Sequence, residues 1–141
     1  MKKIVLTLII ILISTNTLHA AKFNWTKIVT TIDNSTEFYI EKKSVRKVGK
    51  FHYYWMLANY LKLEENDDPN IKSNITYNIL NCKTNESKKV TFTSFNLNMG
   101  RGEIELDVII PDEDISYFDW EYFDDTTSFG AVFEAVCKIR M

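Results

Sequence analysis

The chain has 141 residues, with 17 basic and 19 acidic side chains and a net charge of −2. This balance is too acidic for a general nucleic-acid binder, and the length suits a single domain. Beyond residue 20 the sequence holds one histidine, His52, so it offers no two-histidine metal site and no supported catalytic triad. We therefore expect a non-enzymatic protein that has no cofactor and does not bind nucleic acid.

The first 20 residues have the layout of a signal peptide. Met1-Lys2-Lys3 is a positive start, residues 4–13 are almost entirely apolar, and a polar stretch ends at Ala20. The apolar run is shorter than the roughly 20 residues of a membrane span, and no later segment offers one. We expect cleavage after Ala20 and one domain at residues 21–141, exported to the periplasm, the outer envelope or the medium.

Two short strands and a basic hairpin are predicted next. Residues 23–31 and 37–40 are rich in β-branched and aromatic side chains, and turn residues separate them. Gly49-Lys50 predicts the tip of a hairpin. Five basic residues around this hairpin are the candidate partner-binding residues: Lys42, Lys43, Arg46, Lys47 and Lys50.

The middle of the chain predicts two long strands. Residues 51–63 carry apolar or aromatic side chains at both odd and even positions, which indicates a central strand buried on both faces. After an acidic turn, residues 71–82 alternate apolar with polar side chains, which indicates a half-buried strand. The apolar positions of this second strand are Ile71, Ile75, Tyr77 and Ile79.

Three further strands and a helix complete the chain. Residues 90–98 and 117–123 are predicted strands, and residues 103–110 alternate charge with aliphatic side chains as an edge strand does. The period then becomes helical, with Thr127 or Ser128 as the N-cap. The apolar stripe of this helix is Phe129, Val132, Phe133, Val136 and Cys137.

A run of strands followed by one helix predicts an α+β fold, in which an antiparallel β-sheet carries a C-terminal amphipathic helix on one face. In an oxidising compartment, the two cysteines, Cys82 and Cys137, are expected to form a disulfide that ties the helix to the sheet. Closing a loop of about 56 residues contributes about 4 kcal/mol in the chain-entropy account. Two free reactive thiols are the alternative.

The position of Cys82 leaves two arrangements open. In a regular strand, Cys82 lies on the same face as Leu80, whereas Ile79 and the other apolar positions of the strand lie on the opposite face. Either the helix covers the face of Leu80 and Cys82, so that both faces are partly buried, or a bulge near Asn81 turns the cysteine inward.

The aromatic content is high, with three tryptophans, seven tyrosines and nine phenylalanines. Most of these rings are expected in the core, since large aromatics carry most of the buried area of a small domain. Any ring that stays exposed favours contact with a protein or a glycan.

Several short motifs and single residues follow one another in a characteristic order along the chain. They are Trp25, Phe38-Tyr39-Ile40, Ser44, Gly49, Trp55, Tyr60, Ser73, Cys82, Met99-Gly100-x-Gly102, Trp120 and Cys137. This ordered set resembles the bacterial surface-adhesin protein E family. The resemblance implies an antiparallel sheet with a disulfide-linked C-terminal helix and, for the best-known member, adhesion to host matrix and serum proteins. That member resembles a surface lipoprotein, whereas no cysteine follows the apolar run here.

Two functional hypotheses follow. The leading one is an exported binding module of the adhesin E type, which contacts a host or envelope protein through its sheet edge or its basic hairpin. The alternative is a periplasmic structural or stress-related envelope protein without an extracellular ligand. The sequence leaves the oligomeric state open, a homodimer included.

Overall fold

The computed structural model of the chain describes residues 23–111 and 120–141. The predicted signal peptide, and residues 117–119 of the last predicted strand, lie outside these ranges. In chain order the elements are β1 (Thr26–Thr30), β2 (Thr36–Ile40), a 3-10 helix (Lys42–Ser44), β3 (Arg46–Val48), β4 (Phe51–Tyr60), β5 (Ser73–Asn81), β6 (Glu86–Leu97), β7 (Arg101–Ile109), β8 (Glu121–Tyr122) and α1 (Ser128–Cys137).

The strands form one antiparallel sheet in the order β1-β2-β4-β5-β6-β7. β2 pairs with residues 56–60 of β4, while β3 pairs with residues 51–53 on the same edge of that strand. The 3-10 helix Lys42–Ser44 lies between them in the chain. At the other edge of the sheet, β8 pairs with the first two residues of β6, and β7 pairs with the later part of β6. β4 and β5 therefore form the centre of the sheet.

β7 is the edge strand that its charge alternation predicts. It pairs with β6 on one side, and every one of its residues is exposed. The turn that leads into it places Met99 and Gly100 at φ values of 64° and 65°, in the left-handed region that glycine adopts most easily. Both sides of this strand are exposed, because α1 packs over other strands.

The helix packs over β1, β2 and β4. Thr127 is its N-cap, and the Thr127 hydroxyl accepts a hydrogen bond of 3.0 Å from the backbone N–H of Gly130. Val132 and Val136 are fully buried and Phe133 is 2% exposed, so the predicted apolar stripe is confirmed as the core-facing side. These residues join Phe38, Ile40, Val45, Tyr54, Met56, Ala58 and Leu80 in the hydrophobic core.

Gly130 allows the helix to lie close to the segment before it. A Cβ at this position would lie 2.4 Å from the carbonyl oxygen of Asp124 and 2.7 Å from the Cα of Asp125. Both neighbours are backbone atoms, so no side-chain rotation relieves such a contact. A glycine that by propensity weakens the helix is therefore required by the packing of its first turn.

β5 is buried on both faces, so the prediction of a half-buried strand is wrong. The polar residues Asn74, Thr76 and Asn78 are only 2–8% exposed. Their cross-strand neighbours on β4 include Tyr54 and Met56, which belong to the core. Hydrogen bonds lower the cost of burying these groups, as where the Asn78 amide donates to the Thr76 hydroxyl at 2.8 Å.

The predicted disulfide between Cys82 and Cys137 is present, with a Cα–Cα distance of 5.8 Å. The ladder between β4 and β5 runs without a register shift from the pair Phe51 and Asn81 to the pair Asn59 and Ser73. Leu80 is fully buried in the core that the helix covers. The first of the two arrangements for Cys82 is therefore confirmed: the helix covers its face, and no bulge near Asn81 is needed.

Candidate interaction surface

Seven half-buried aromatic side chains line the face of the sheet opposite α1. On β4, Tyr54 and Met56 point toward the helix, so that Tyr53 and Trp55 point away from it. Direct cross-strand partners share a face, which places Tyr77 of β5 beside Trp55. We call this set the aromatic face: Phe23, Trp25, Phe51, Tyr53, Trp55, Tyr77 and Trp120.

The rings of the aromatic face support one another. Phe23 stacks on Trp25 with a centroid distance of 4.8 Å and also contacts Trp55 at 5.3 Å. Trp55 in turn lies 4.7 Å from Tyr77. These are the separations at which aromatic pairs attract each other beyond simple burial. The contacts hold each ring in place while part of its surface stays open to solvent.

The second ring pair of this face, Phe51 and Trp120, is stacked with a centroid distance of 5.3 Å and an interplanar angle of 13°. Two lysines lie over it. The Lys50 ammonium is 5.2 Å from the Phe51 centroid, and the Lys88 ammonium is 5.0 Å from the Trp120 centroid. Both distances are within the range of cation–π attraction.

Arg46 adds a third cation to the aromatic face. Its Nη2 donates a hydrogen bond of 2.9 Å to the hydroxyl of Tyr77, across 31 residues of sequence. The guanidinium is nevertheless exposed, and one hydrogen bond to a phenol occupies only one of its five N–H donors. The remaining donors are available to a carboxylate, which guanidinium groups bind in a bidentate manner.

The structure divides the five basic residues that the sequence groups as one candidate site. In the ladder between β3 and β4, Arg46 pairs with Tyr53 and so lies on the aromatic face, while Lys47 pairs with His52 on the helix side. Lys50 reaches the aromatic face from the hairpin turn. Lys42 and Lys43 are exposed on the 3-10 helix.

On β2, on the same face of the sheet, the carboxylate of Glu37 forms an ion pair with Lys27. Its carboxylate accepts hydrogen bonds from Lys27, from the Tyr39 hydroxyl at 2.8 Å and from the Asn59 amide at 3.2 Å. The Lys27 contact is the main reason why the pKa of Glu37 lies below its usual value. Burial, and then the hydrogen bond to the Glu37 carboxylate, raise the pKa of Tyr39 to about 12.

Trp25, Trp55 and Trp120 are all half-exposed on the side away from α1, so these three rings are not among the aromatic side chains that the core buries. A signal for this was present in the sequence: the odd positions of residues 51–55 are all aromatic, which defines a second ring-lined face. The role of Lys88 carried no such signal, since its position over Trp120 depends on where the chain returns after residues 112–119.

Within residues 23–111 and 120–141, no three His, Cys, Asp or Glu side chains are grouped as a metal ion would need. No helix in these two ranges is both long and apolar enough to cross a membrane. The acidic stretch at residues 112–114 lies outside them.

The fold is thus an antiparallel sheet with one C-terminal helix fixed across it by a disulfide, and its opposite face carries aromatic rings and cations. The family profile described as surface-adhesin protein E matches residues 25–138. The chain belongs to this family of surface adhesins, as its ordered motifs indicate.

Solved structures of Haemophilus influenzae protein E share the fold. The selenomethionine form is 13% identical, with a TM-score of 0.53 over 83% of this chain and 88% of that one. A second structure of protein E is 15% identical, with a TM-score of 0.53 over 83% and 86% of the two chains. Crystal form II is 15% identical, with a TM-score of 0.52 over 87% and 96%. No curated protein sequence matches this chain.

Proposed function

We propose that this chain is an exported adhesin that binds an acidic surface of a host protein through its aromatic face. Family membership supports adhesion, and the layout of residues 1–20 supports export. The observation that carries the proposal is the arrangement of half-exposed rings with the two exposed cations Arg46 and Lys50 held against them.

The composition of this surface suits protein recognition. Tryptophan, tyrosine and arginine are the residues that most often dominate the binding energy of protein interfaces. The rings are already held by one another and by the sheet, so that binding orders few further side chains. Arg46 is anchored in the same way by Tyr77. The exposed cations Arg46 and Lys50 select an acidic partner and raise the rate of encounter.

The test measures binding of the purified, oxidised protein to immobilised host matrix and serum proteins at low salt. Removing two cations of the aromatic face with the double substitution R46Q/K50Q should weaken binding about tenfold. Near 1 M salt, where the screening length is about 3 Å, wild type and variant should converge. The matched control is K83Q/K89Q, which removes the same charge from two exposed lysines away from the aromatic rings.

Neutralising all five basic residues together, namely Lys42, Lys43, Arg46, Lys47 and Lys50, should weaken binding at low salt as well. The triple substitution K42Q/K43Q/K47Q distinguishes the basic hairpin from the aromatic face as the binding site, because it leaves Arg46 and Lys50 in place. We expect it to retain most of the binding. If the triple variant loses binding and R46Q/K50Q does not, the basic hairpin is the site and the aromatic face is not.

The proposed surface location has its own test. Protease added to intact cells should cleave the protein if it is displayed outside. A protein that is wholly protected in intact cells and released with the periplasmic fraction would support the periplasmic alternative instead.

A further inference from the structure

The disulfide that ties α1 to the sheet is accessible from solvent. Cys82 directly follows β5 and Cys137 is the last residue of α1, and both are half-exposed. Both cysteines line an open cavity of about 390 Å³. This volume is large enough to admit the thiol group of another molecule. The other lining residues are Asn85, Asp125, Gly130, Glu134 and Lys138.

The surroundings of Cys82 favour a thiolate. The Nδ1 atom of His52 lies 3.1 Å from the Cys82 sulfur. Lys47 is the cross-strand partner of His52 and places a positive charge on the same side of the sheet. An imidazole N–H and a nearby ammonium group both stabilise a sulfur anion.

The surroundings of Cys137 disfavour a thiolate. Its sulfur belongs to the C-terminal residue of α1, where the unpaired carbonyl groups give the helix its negative end. Glu134 lies one turn earlier, and Asp125 faces the same cavity. The Lys138 ammonium is paired with the Glu134 carboxylate, so it offers Cys137 little compensation.

We propose that the Cys82–Cys137 disulfide is a thiol-exchange site with a fixed polarity, in which an incoming thiolate attacks Cys137 and Cys82 leaves. The attack forms a new sulfur–sulfur bond between the incoming thiol and Cys137. The bond between Cys137 and Cys82 breaks, and its electron pair stays on Cys82 as a thiolate that accepts a hydrogen bond from His52 Nδ1–H. A second thiol of a dithiol reductant then attacks the mixed disulfide, releases Cys137 and is itself oxidised. The reactant class is an exported dithiol oxidoreductase or a small dithiol.

The protonation state of His52 is consistent with this role. Burial, and then the charge of Lys47, hold the pKa of His52 below its usual value, so the ring is neutral near pH 7. A neutral imidazole still carries one N–H, and with that proton on Nδ1 it is directed at the departing sulfur. The other charged groups around the disulfide are those named above: Asp125, Glu134 and Lys138.

The polarity is tested directly on the oxidised wild-type protein. A brief incubation with excess glutathione, followed by trapping of free thiols with N-ethylmaleimide, marks the two cysteines differently for peptide mass spectrometry. Glutathione should be found on Cys137 and maleimide on Cys82, with about tenfold preference. An even distribution, or the reverse one, would overturn the proposal.

The contribution of His52 and Lys47 to this polarity is tested by measuring the rate at which dithiothreitol reduces the disulfide of the folded protein. His52→Gln should slow it about tenfold and Lys47→Gln by a smaller factor, whereas the control Lys43→Gln should leave it unchanged. In concentrated urea all four proteins should be reduced at the same rate, since the contacts are then absent. If His52→Gln fails to fold, Lys47→Gln and the wild-type peptide map carry the test. Equal native rates for wild type, His52→Gln and Lys47→Gln would show that these groups do not direct the exchange.

Discussion

The two faces of β4 carry similar amino acids but differ in burial: one packs against the helix and the other is partly open to solvent. Toward α1, Tyr54 and Met56 are 1% and 3% exposed and pack against the helix. On the opposite face, Tyr53 and Trp55 are half-exposed and contact other rings of the aromatic face. Burial of apolar area stabilises the first face, whereas the second retains apolar area that a partner can bury.

Large aromatic side chains in a small domain therefore need not all belong to its core. The helix covers β1, β2 and β4 on one side, whereas on the other side of β4 the rings of Phe23 and Trp120 contact Trp55 and Phe51. Mutations on the two faces should therefore separate stability from binding.

The largest loss of stability is expected from Phe133→Ala on the helix side. Phe133 is 2% exposed and contacts the ring of Phe123, so its truncation leaves a cavity between helix and sheet. We expect the free energy of unfolding to fall by about 3–5 kcal/mol, measured by urea denaturation with the disulfide intact. A loss below about 1 kcal/mol would mean that the helix side is not the main core.

Gly130→Ala should also destabilise the protein, by about 1–3 kcal/mol, because the new Cβ meets the backbone of residues 124–125. Helix propensity alone predicts the opposite sign, a gain of about 1 kcal/mol. The sign of the change in urea denaturation decides between them. Ala131→Gly, one position later, is the matched control and should follow propensity.

Trp25→Ala tests the aromatic face. This ring is half-exposed, so we expect a loss of only about 1–2 kcal/mol of stability, well below that of Phe133→Ala. Binding to the partner should fall about tenfold although the protein stays folded. Unchanged affinity in a surface binding assay would remove this end of the aromatic face from the proposed site.

The smallest effect is expected from Glu37→Gln, which removes a partly exposed ion pair with Lys27. The loss near pH 7 should stay below about 1 kcal/mol. The pKa of Glu37 is lower in the folded state than in the unfolded one, so its contribution is present above about pH 4.5 and disappears as the pH falls through the folded-state pKa. Thermal unfolding between neutral and acid pH should therefore show a weaker pH dependence for the variant.

The control for this pH series is Glu65→Gln in the exposed turn before β5, which should leave the pH dependence as it is in wild type. If Glu37→Gln and Glu65→Gln behave alike, the hydrogen bonds of Glu37 do not stabilise the folded state.

The sequence alone determined most of the elements and their order. The strands and the helix follow from the period of their apolar residues, and the disulfide follows from two cysteines in a chain with a predicted export signal. The ends of the elements were less well defined: β6 begins at Glu86 rather than at residue 90, and β4 ends at Tyr60 rather than Leu63. Pairing with β5 extends β6, since hydrogen bonds to a neighbouring strand are not encoded locally.

The tertiary structure alone decided which face of each central strand receives the helix. β4 carries large side chains at both parities, so its period does not distinguish the core face from the aromatic face. For β5, the polar residues Asn74, Thr76 and Asn78 predicted that the face turned toward the helix would face solvent. This prediction failed because hydrogen bonds that form only in the folded sheet lower the cost of burying these side chains. The same packing places His52 against Cys82 and Arg46 against Tyr77, contacts that join residues about 30 positions apart.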